Sequence, residues 1–392
     1  MIYLDHAATT PLDPRVLDAM MPYLTDQYGN PGALHSCGRM AKKAVDRARE
    51  QVAAFFNCEP SQVVFTSGGS EGNNMVFFGT APWFLKNHRN CVLVSAVEHD
   101  SVRRAAKEMC IKHGFDRRIL TPDSDGEITL SNVKAAAEFL KNNGENIGLL
   151  SVMLANNETG VVNDIHDIAR YAHEQDILIH TDAVQAAGCL SLDTKELFPV
   201  DFMTVSSHKI NGPKGVGALF VSNPRLISPL IYGGADQEFG LRGGTENVAG
   251  IVGFGEACEL TSKEYAQHFL TLWKLRSSLE SQLKRLALAS GVSLRINGDT
   301  NNALPKTLNV CFPGVDAEAL LLLLDAHGIF VSAGSACRSH ESEPSHVLKA
   351  MGLSDEDARC SIRISLSHTN TLDEIDEAAA AIINAAHALL SV

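Results

Sequence analysis

The sequence lacks any apolar stretch long enough to cross a membrane, which takes about 20 consecutive residues in a helix. Its first residues also lack the basic and apolar regions of a secretory signal. There is no internal repeat and no low-complexity segment. We therefore expect a protein that works in the cytoplasm and does not contact a membrane.

Paired cysteines are missing as well, since the nine cysteines are scattered and none forms a Cys-x-x-Cys motif. This argues against a disulfide framework and against a structural zinc site, so we expect no bound metal. Most of these cysteines are expected to be small buried apolar residues. Cys337 is the exception, because small and polar residues surround it.

Basic residues are in deficit: 33 Lys and Arg face 46 Asp and Glu, which gives a formal net charge of −13. Such a chain does not neutralise phosphates broadly. We therefore expect no direct binding to nucleic acid.

Strand-like apolar runs alternate with helix-like segments over the first two-thirds of the chain. This alternation predicts an α/β fold with a mainly parallel sheet covered by helices on both faces. The pattern changes near residue 260, where a long helical stretch (about Glu259 to Leu288) is followed by shorter strands with helices between them. We predict a large domain over residues 15–259 and a smaller α+β domain made of residues 1–14 and 260–392.

An aspartate and a lysine each end a strand-like run, with Asp182 placed 27 residues before Lys209. Pyridoxal phosphate (PLP) needs such a pair. A lysine amine bonds covalently to its aldehyde, and a carboxylate keeps its pyridine nitrogen protonated so that the ring accepts electrons. The alternative is a surface lysine and a helix-capping aspartate, but the sequences that flank both residues favour PLP.

A glycine-rich turn, Thr66–Asn74, separates a strand-like run from a helical run. Its backbone N–H groups and the helix N-terminus would suit a phosphate, with the Gly69 N–H and the Ser70 hydroxyl as donors. The turn is neither a Walker motif nor a GxGxxG fingerprint. Many strand-to-helix turns contain glycine and serine, so the turn alone does not identify a phosphate site.

Three polar residues near predicted strands have both a functional and an ordinary interpretation. His99 would stack on a flat cofactor ring and shuttle protons, or belong to an ordinary loop. Asn156 would bind a cofactor oxygen or a substrate carboxylate at the carboxyl edge of the sheet, or form a plain turn. Arg363 would clamp an amino-acid carboxylate with two parallel hydrogen bonds, or face solvent.

Cys337 follows a stretch of small residues and precedes a polar run. A packing cysteine would be out of place in such a loop. Arg338 and His340 would favour the reactive thiolate, whereas Glu341 and Glu343 oppose it. We interpret Cys337 as a reactive nucleophile, with a chance exposed cysteine as the alternative.

In order and spacing these segments resemble the cysteine desulfurases, which are class V aminotransferases of PLP fold type I. The resemblance covers essentially the whole chain. It implies a large PLP-binding domain whose mainly parallel seven-stranded sheet lies between helices, and a smaller domain that carries the cysteine loop and the substrate arginine. The most specific segments are Tyr28–Pro31, Thr66–Asn74, Asn156–Gly160, Ser206–Gly215, Arg242–Asn247 and Gly334–Cys337.

The resemblance also implies how the cofactor would be held. Lys209 would carry PLP, Asp182 would pair with its pyridine nitrogen, and Gln185 would reach its phenolic oxygen. His99 would stack on the ring. The residues implied at the phosphate are Gly69, Ser70, Ser206 and His208, together with Thr245 from a second subunit.

Substrate and partners follow from the same resemblance. Asn156, which would also contact PLP, and Arg363 would bind the carboxylate of L-cysteine. Cys337 would take the sulfur as a persulfide and leave L-alanine. A homodimer with shared active sites would then pass the sulfur to an acceptor protein, for iron–sulfur assembly, tRNA thiolation or sulfur modification of DNA.

Two features depart from the family pattern. The stretch 233–242 has an extra residue, with Phe239 near a position that is usually basic, and this affects the rim shared in a dimer. Arg338 and His340 replace the small residues that usually follow the nucleophile. The alternatives to a cysteine desulfurase are a selenocysteine lyase or another class V PLP enzyme and, more distantly, a non-catalytic scaffold.

Overall fold

The computed structural model describes residues 1–195, 200–334 and 343–391. Its strands are short, and several of them consist only of buried residues. In chain order they are β1 (Ile2–Tyr3), β2 (Val63–Thr66), β3 (Cys91–Ser95), β4 (Asp116–Leu120), β5 (Ile147–Ser151), β6 (Leu178–Asp182), β7 (Phe202–Ser206), β8 (Gly217–Val221), β9 (Arg295–Ile296), β10 (Thr307–Cys311), β11 (Ile329–Phe330) and β12 (Ser361–Ser365).

The helices of the described residues include none that is both long and apolar enough to span a membrane. Short 3-10 turns occur at Ser207–Lys209 and Gln237–Gly240. The α-helices are α1 (Pro14–Leu24), α2 (Ser36–Phe56), α3 (Gly69–Lys86), α4 (Asp100–His113), α5 (Leu130–Asn142), α6 (Ile165–Glu174), α7 (Val248–Ser290), α8 (Ala317–Ala326), α9 (His346–Ala350), α10 (Asp355–Arg359) and α11 (Leu372–Leu390).

A seven-stranded sheet forms the centre of the molecule, in the order β2-β8-β7-β6-β5-β3-β4. Only β8 runs antiparallel to its neighbours, and the other pairs in the sheet are parallel. Alternate residues of a strand point to opposite faces, so Val63 and Phe65 join one apolar core and Val64 joins another. This confirms the predicted α/β fold with a mainly parallel seven-stranded sheet between helices.

The order of the strands brings five chain segments to one edge of this sheet. Because β8 is antiparallel to both β2 and β7, strands β2, β7, β6, β5 and β3 all run in the same direction. Their carboxyl ends therefore meet at one edge, which is where α/β sheets bind ligands.

The remaining strands form two small sheets, an antiparallel β12-β10-β9 and a parallel β1-β11. The β1-β11 pair joins the N-terminus to the later part of the chain. Helix α7 runs without interruption from Val248 to Ser290, so the predicted boundary at residues 259 and 260 falls inside a helix. The division into two domains stays a prediction.

Candidate active site

A cavity of about 220 Å³ opens where the five strand ends meet. Backbone from the N-terminal segment, at Ala7 and Ala8, closes one side of it. Nine of the twelve residues predicted for the site line this cavity, so the fold brings most of them together. They are Gly69, Ser70, His99, Asp182, Gln185, Ser206, His208, Lys209 and Arg363.

Lys209 ends the 3-10 turn that follows β7. Its Nζ donates hydrogen bonds to the carbonyl oxygens of Ala7, at 2.5 Å, and Ala8, at 2.7 Å. The N-terminal segment is fixed in turn, because Thr10 donates to the His208 carbonyl through both its backbone N–H and its hydroxyl. The amine is thus held at the cavity wall by two carbonyl oxygens.

Asp182 ends β6 and is buried. One of its carboxylate oxygens accepts a hydrogen bond from Asn73 Nδ2 at 2.8 Å, and the other accepts from the Val184 N–H at 3.0 Å. These donors fix the orientation of the carboxylate. Asn73 lies within the glycine-rich segment, but no pattern in the sequence marks it as a site residue.

The glycine-rich turn leads from β2 into α3, whose first residue is Gly69. Gly68 has a φ of +145°, which favours glycine, and a Cβ at position 69 would lie 2.9 Å from Val184 Cγ2. A second cavity beside the turn is lined by Ser70, Ser206, His208 and Lys214 among others. The 18-residue helix α3 begins at this cavity, which therefore has the features of an anion site.

His208 carries no charge near neutral pH. Burial lowers its pKa to about 4, and the positive charges of Lys209 and Lys214 add to the effect. Its Nδ1 lies 3.1 Å from Thr9 Oγ1. A neutral imidazole at this place offers a hydrogen bond to an anion without adding charge.

His99 caps helix α4: its Nδ1 accepts a hydrogen bond from the Ser101 N–H at 3.1 Å and lies 2.8 Å from Ser101 Oγ. A neutral ring whose Nδ1 accepts a backbone N–H carries its proton on Nε2. The cap also fixes the ring at the cavity wall. The stacking role of His99 stays a prediction.

The prediction for Asn156 needs a correction. Its side chain is buried and hydrogen-bonded locally: Nδ2 donates to the Val97 carbonyl at 3.0 Å, and Oδ1 accepts the N–H groups of Glu158 and Thr159. Asn156 therefore shapes the turn after β5, and Asn157 lines the cavity in its place. The sequence holds two adjacent asparagines, and no pattern distinguishes them.

Arg363 lies on β12 and is buried rather than solvent-facing. Its Nη1 donates to the Asn157 carbonyl at 3.1 Å and its Nη2 donates to Asp5 Oδ1 at 2.7 Å. Its Nε is buried and has no hydrogen-bond partner in the described part of the chain. The guanidinium is thus fixed at the wall with a donor still to be satisfied, as a carboxylate site requires.

Two other predicted residues cannot be placed at the cavity of this chain. Thr245 is exposed and lines neither cavity, and its role in a second subunit stays a prediction. Cys337 lies outside the described residues, as do its neighbours Arg338 and His340.

Glu98 is a titratable residue directly before His99, and no pattern in the sequence marks it out. It is fully buried, its Oε1 accepts the Met153 N–H at 2.5 Å, and its Oε2 has no partner among the described residues. Burial, reinforced by the negative charge of Asp182, raises the pKa of Glu98 well above its ordinary value. We therefore expect a protonated carboxyl group in the folded protein.

This protonation makes stability depend on pH in a defined direction. In the unfolded chain Glu98 ionises at its ordinary pKa, while the folded chain keeps the proton, so stability falls as pH rises above that ordinary value. Glu98→Gln removes this dependence. We expect the unfolding free energy of Glu98→Gln, relative to the wild type, to increase from pH 5 to pH 8 in urea titrations. Glu98→Ala is the control for lost volume, and a difference between Gln and wild type that does not change with pH would show an ionised Glu98.

The comparisons with known proteins agree with this geometry. The family described as aminotransferase class-V matches residues 2–378. A protein of Bacillus subtilis (strain 168) named putative cysteine desulfurase IscS 1 is 41% identical over 379 residues, which cover 96% of each chain. A solved NifS-like protein superposes with a TM-score of 0.88 at 34% identity, over 100% of this chain and 99% of the other. A structure titled SspA in complex with cysteine gives a TM-score of 0.78 at 35% identity, over 95% and 100%.

The chain belongs to the class V aminotransferase family. Within that family it is a member of the cysteine desulfurases, and its cofactor is PLP. The residues present fit this cofactor. The turn at Gly69 begins a helix beside hydroxyl and imidazole donors, as a phosphate requires, and the buried Asp182 carboxylate suits a protonated ring nitrogen.

Proposed function

We propose that the protein converts L-cysteine to L-alanine and stores the sulfur as a persulfide on Cys337. The observation that carries the proposal is a single cavity shared by Lys209, Asp182 and Arg363, which are an amine, a buried carboxylate and a fixed guanidinium. The first two suit PLP, and the third suits the carboxylate of an amino acid. A relative was solved with cysteine bound, which supports the choice of amino acid.

Each wall of the cavity has a proposed role in holding the cofactor. Lys209 would hold PLP covalently, Asp182 its ring nitrogen, and Gln185 its phenolic oxygen. Gln185 Nε2 donates to the Ala7 carbonyl at 2.9 Å, which orients its amide and leaves a second N–H for this purpose. The phosphate would lie at the second cavity, against Gly69, Ser70, Ser206 and His208.

The proposed proton and sulfur transfers are divided among Lys209, Cys337 and His99. When bound, PLP supplies an electron sink that withdraws electrons from the substrate carbons. Lys209 Nζ would take the Cα proton, and the Cys337 thiolate would attack the substrate sulfur. The C–S bond breaks as an S–S bond forms, and its electron pair stays on carbon. His99, with its proton on Nε2, is the proposed donor that completes L-alanine.

The substrate carboxylate is assigned to Arg363, with Asn157 beside it in place of Asn156. We expect Arg363→Met to lower kcat/KM for L-cysteine by roughly 10- to 150-fold, the effect of losing one hydrogen bond between charged groups. The visible absorption of PLP should be unchanged, because Arg363 does not hold the cofactor.

The matched comparison for this variant uses cysteamine, which is L-cysteine without its carboxylate. The wild type should strongly prefer L-cysteine, and Arg363→Met should lose most of that preference. If the variant discriminates between the two amines as well as the wild type does, the carboxylate binds elsewhere.

A homodimer with shared active sites is the proposed assembly. Half of the large apolar side chains that are exposed in the described residues lie in two stretches, 12–40 and 231–239, including Tyr28, Leu34 and Tyr232, which are at least 82% exposed. A partner subunit that packs on these two stretches would remove these side chains from water. Thr245 lies just after the second stretch, so a partner that covers these residues would receive Thr245 at its own phosphate site. An acceptor protein would then take the sulfur, and location in the cytoplasm stays a prediction.

Turnover of the purified protein tests the proposal. With L-cysteine we expect one L-alanine for each sulfur recovered as persulfide or, with a thiol reductant, as sulfide. Equal amounts of L-selenocysteine and L-cysteine in one reaction identify the preferred substrate. A colourless protein, or alanine formed only from selenocysteine, would refute the proposal in favour of a scaffold or a selenocysteine lyase.

A further inference from the structure

The stretch that departs from the family pattern is tied to the phosphate turn of its own chain. We call residues 231–246 the rim segment, because it contains Thr245, which is proposed to reach the rim of the partner's site. Within it the backbone crosses itself closely: the Gly243 N–H donates to the Ile231 carbonyl at 2.9 Å, and a Cβ at position 243 would lie 2.4 Å from Gly233 Cα. The segment is therefore a tight loop whose two ends are held together by backbone contacts.

A buried ion pair joins the rim segment to the edge strand β2. Glu238 and Arg49 are both buried and form a two-pronged ion pair, at 2.6 and 2.8 Å. The pair also satisfies the open edge of β2, since Arg49 Nη1 donates to the Val63 carbonyl and Glu238 Oε2 accepts the Phe65 N–H. The two side chains thus occupy the place of a neighbouring strand.

Two residues with strained backbone conformations lie at this ion pair. Glu238 and Phe239 have φ values of +43° and +58°, which residues other than glycine rarely adopt. The Phe239 ring lies 4.9 Å from the Arg49 guanidinium.

A second ion pair joins the rim segment to α3, the helix that begins at the phosphate turn. Arg242 donates to both carboxylate oxygens of Glu71, from Nε at 2.8 Å and from Nη2 at 3.3 Å, and the Ser67 N–H donates to the same carboxylate. Burial would raise the pKa of Glu71, but the hydrogen bonds from Arg242 and Ser67 outweigh it and keep the pKa below its ordinary value. Glu71 lines the second cavity, so Arg242 is bonded directly to the wall of the phosphate site.

We propose that Arg242 is a positioning residue for the cofactor of the partner subunit: through Glu71 it holds Thr245 of its own chain in place for the partner's phosphate. This rests on the proposed shared-site dimer. The same contact links the two phosphate sites, because the wall of one site fixes the residue that completes the other.

Mixed dimers with differently tagged subunits separate an effect on the partner from an effect within one chain. One subunit carries Lys209→Ala, so only the other subunit forms the visible PLP band. Arg242→Lys is placed either on the Lys209→Ala subunit or on the other one, and PLP affinity is measured by absorbance titration. Lysine keeps the charge beside Glu71 but cannot form the two-pronged contact.

We expect Arg242→Lys to weaken PLP binding about tenfold when it is on the Lys209→Ala subunit, and to change it little when it is on the PLP-forming subunit. Thr245→Ala should show the same asymmetry, and combining the two changes on one subunit should cost no more than Thr245→Ala alone. Arg118→Lys is the matched control. Arg118 lies on the exposed strand β4 and makes a similar two-pronged contact with Glu145.

The outcomes distinguish this inference from the function on which it rests. A partner effect for Thr245→Ala without one for Arg242→Lys overturns the inference and leaves the shared site standing. An Arg242→Lys effect confined to its own subunit also overturns it. If neither change acts on the partner, the shared site and the inference both fail, while the visible band and turnover of the wild type still test the desulfurase proposal.

Discussion

Lys209→Ala is expected to abolish the visible band of bound PLP and to lower L-cysteine turnover by at least about a thousandfold. Lys209 is proposed both to hold PLP covalently and to move the Cα proton, so a single substitution removes two functions. Its Nζ lies at the wall of the cavity that PLP would occupy, against two carbonyl oxygens. The measurements are an absorbance spectrum and an assay of alanine.

Lys214→Ala is the matched control for this prediction. Lys214 lines the second cavity and is five residues further along the chain, but it does not line the first. We expect Lys214→Ala to weaken PLP binding and to keep the band at saturating PLP. An unaltered spectrum in Lys209→Ala, or loss of the band only in Lys214→Ala, would contradict the assignment of the covalent lysine.

Loss of the Lys209 hydrogen bonds also affects the N-terminal segment, and thermal unfolding measures that effect separately. Thr10 remains bonded to the His208 carbonyl in the variant, so the segment should stay in place. If the variant unfolds at the same temperature as wild type stripped of PLP, the loss of activity belongs to the missing amine.

The strand ends that carry chemistry could be predicted because each is an apolar run followed at once by polar residues. Asp182 and Lys209 end such runs, and the parallel order of the strands then brings them to one edge. Strand β4 does not have this pattern. It is one of the two edge strands of the sheet, and its sequence Asp-Arg-Arg-Ile-Leu is largely exposed, so it has little apolar pattern to recognise.

The start of helix α7 was predicted too late in the chain, because glycines occupy its first turns. The sequence pattern indicated a start near Glu259, whereas the helix begins at Val248. A Cβ at Gly253 would lie within 2.8 Å of Met20, and one at Gly255 would lie as close to Ala48. These glycines let α1 and α2 pack closely on α7. Glycine lowers intrinsic helix propensity, and tertiary packing overrides that preference here.

Site residues whose role depends on long-range contacts could not be read from the sequence. Asn157 and Asn156 are adjacent, and only the fold shows which one faces the cavity. Asp5 holds Arg363 across 358 positions of the chain, and Asn73 holds Asp182 across 109. Spacing along the chain contains no signal for such pairs, because they form only when separate elements pack together.

Cys337→Ser is expected to separate the two halves of the reaction. The variant should keep the PLP band and bind L-cysteine, because Lys209, Asp182 and Arg363, which are assigned to the cofactor and the substrate carboxylate, are unchanged in it. It should form no protein-bound persulfide, and alanine production should fall by at least about a hundredfold, since a serine hydroxyl does not replace a thiolate as the acceptor of sulfur.

The matched control for this prediction is another cysteine of the same chain. Cys37→Ser changes an exposed cysteine at the start of α2 and should leave persulfide formation intact. Labelling the persulfide with an alkylating reagent, followed by peptide mass analysis, locates the sulfur. Persulfide found on Cys337 of the wild type and of Cys37→Ser, and absent from Cys337→Ser, supports the assignment. Unchanged sulfur release in Cys337→Ser would refute it, because the displaced sulfur would then have reached solvent or another thiol without this nucleophile.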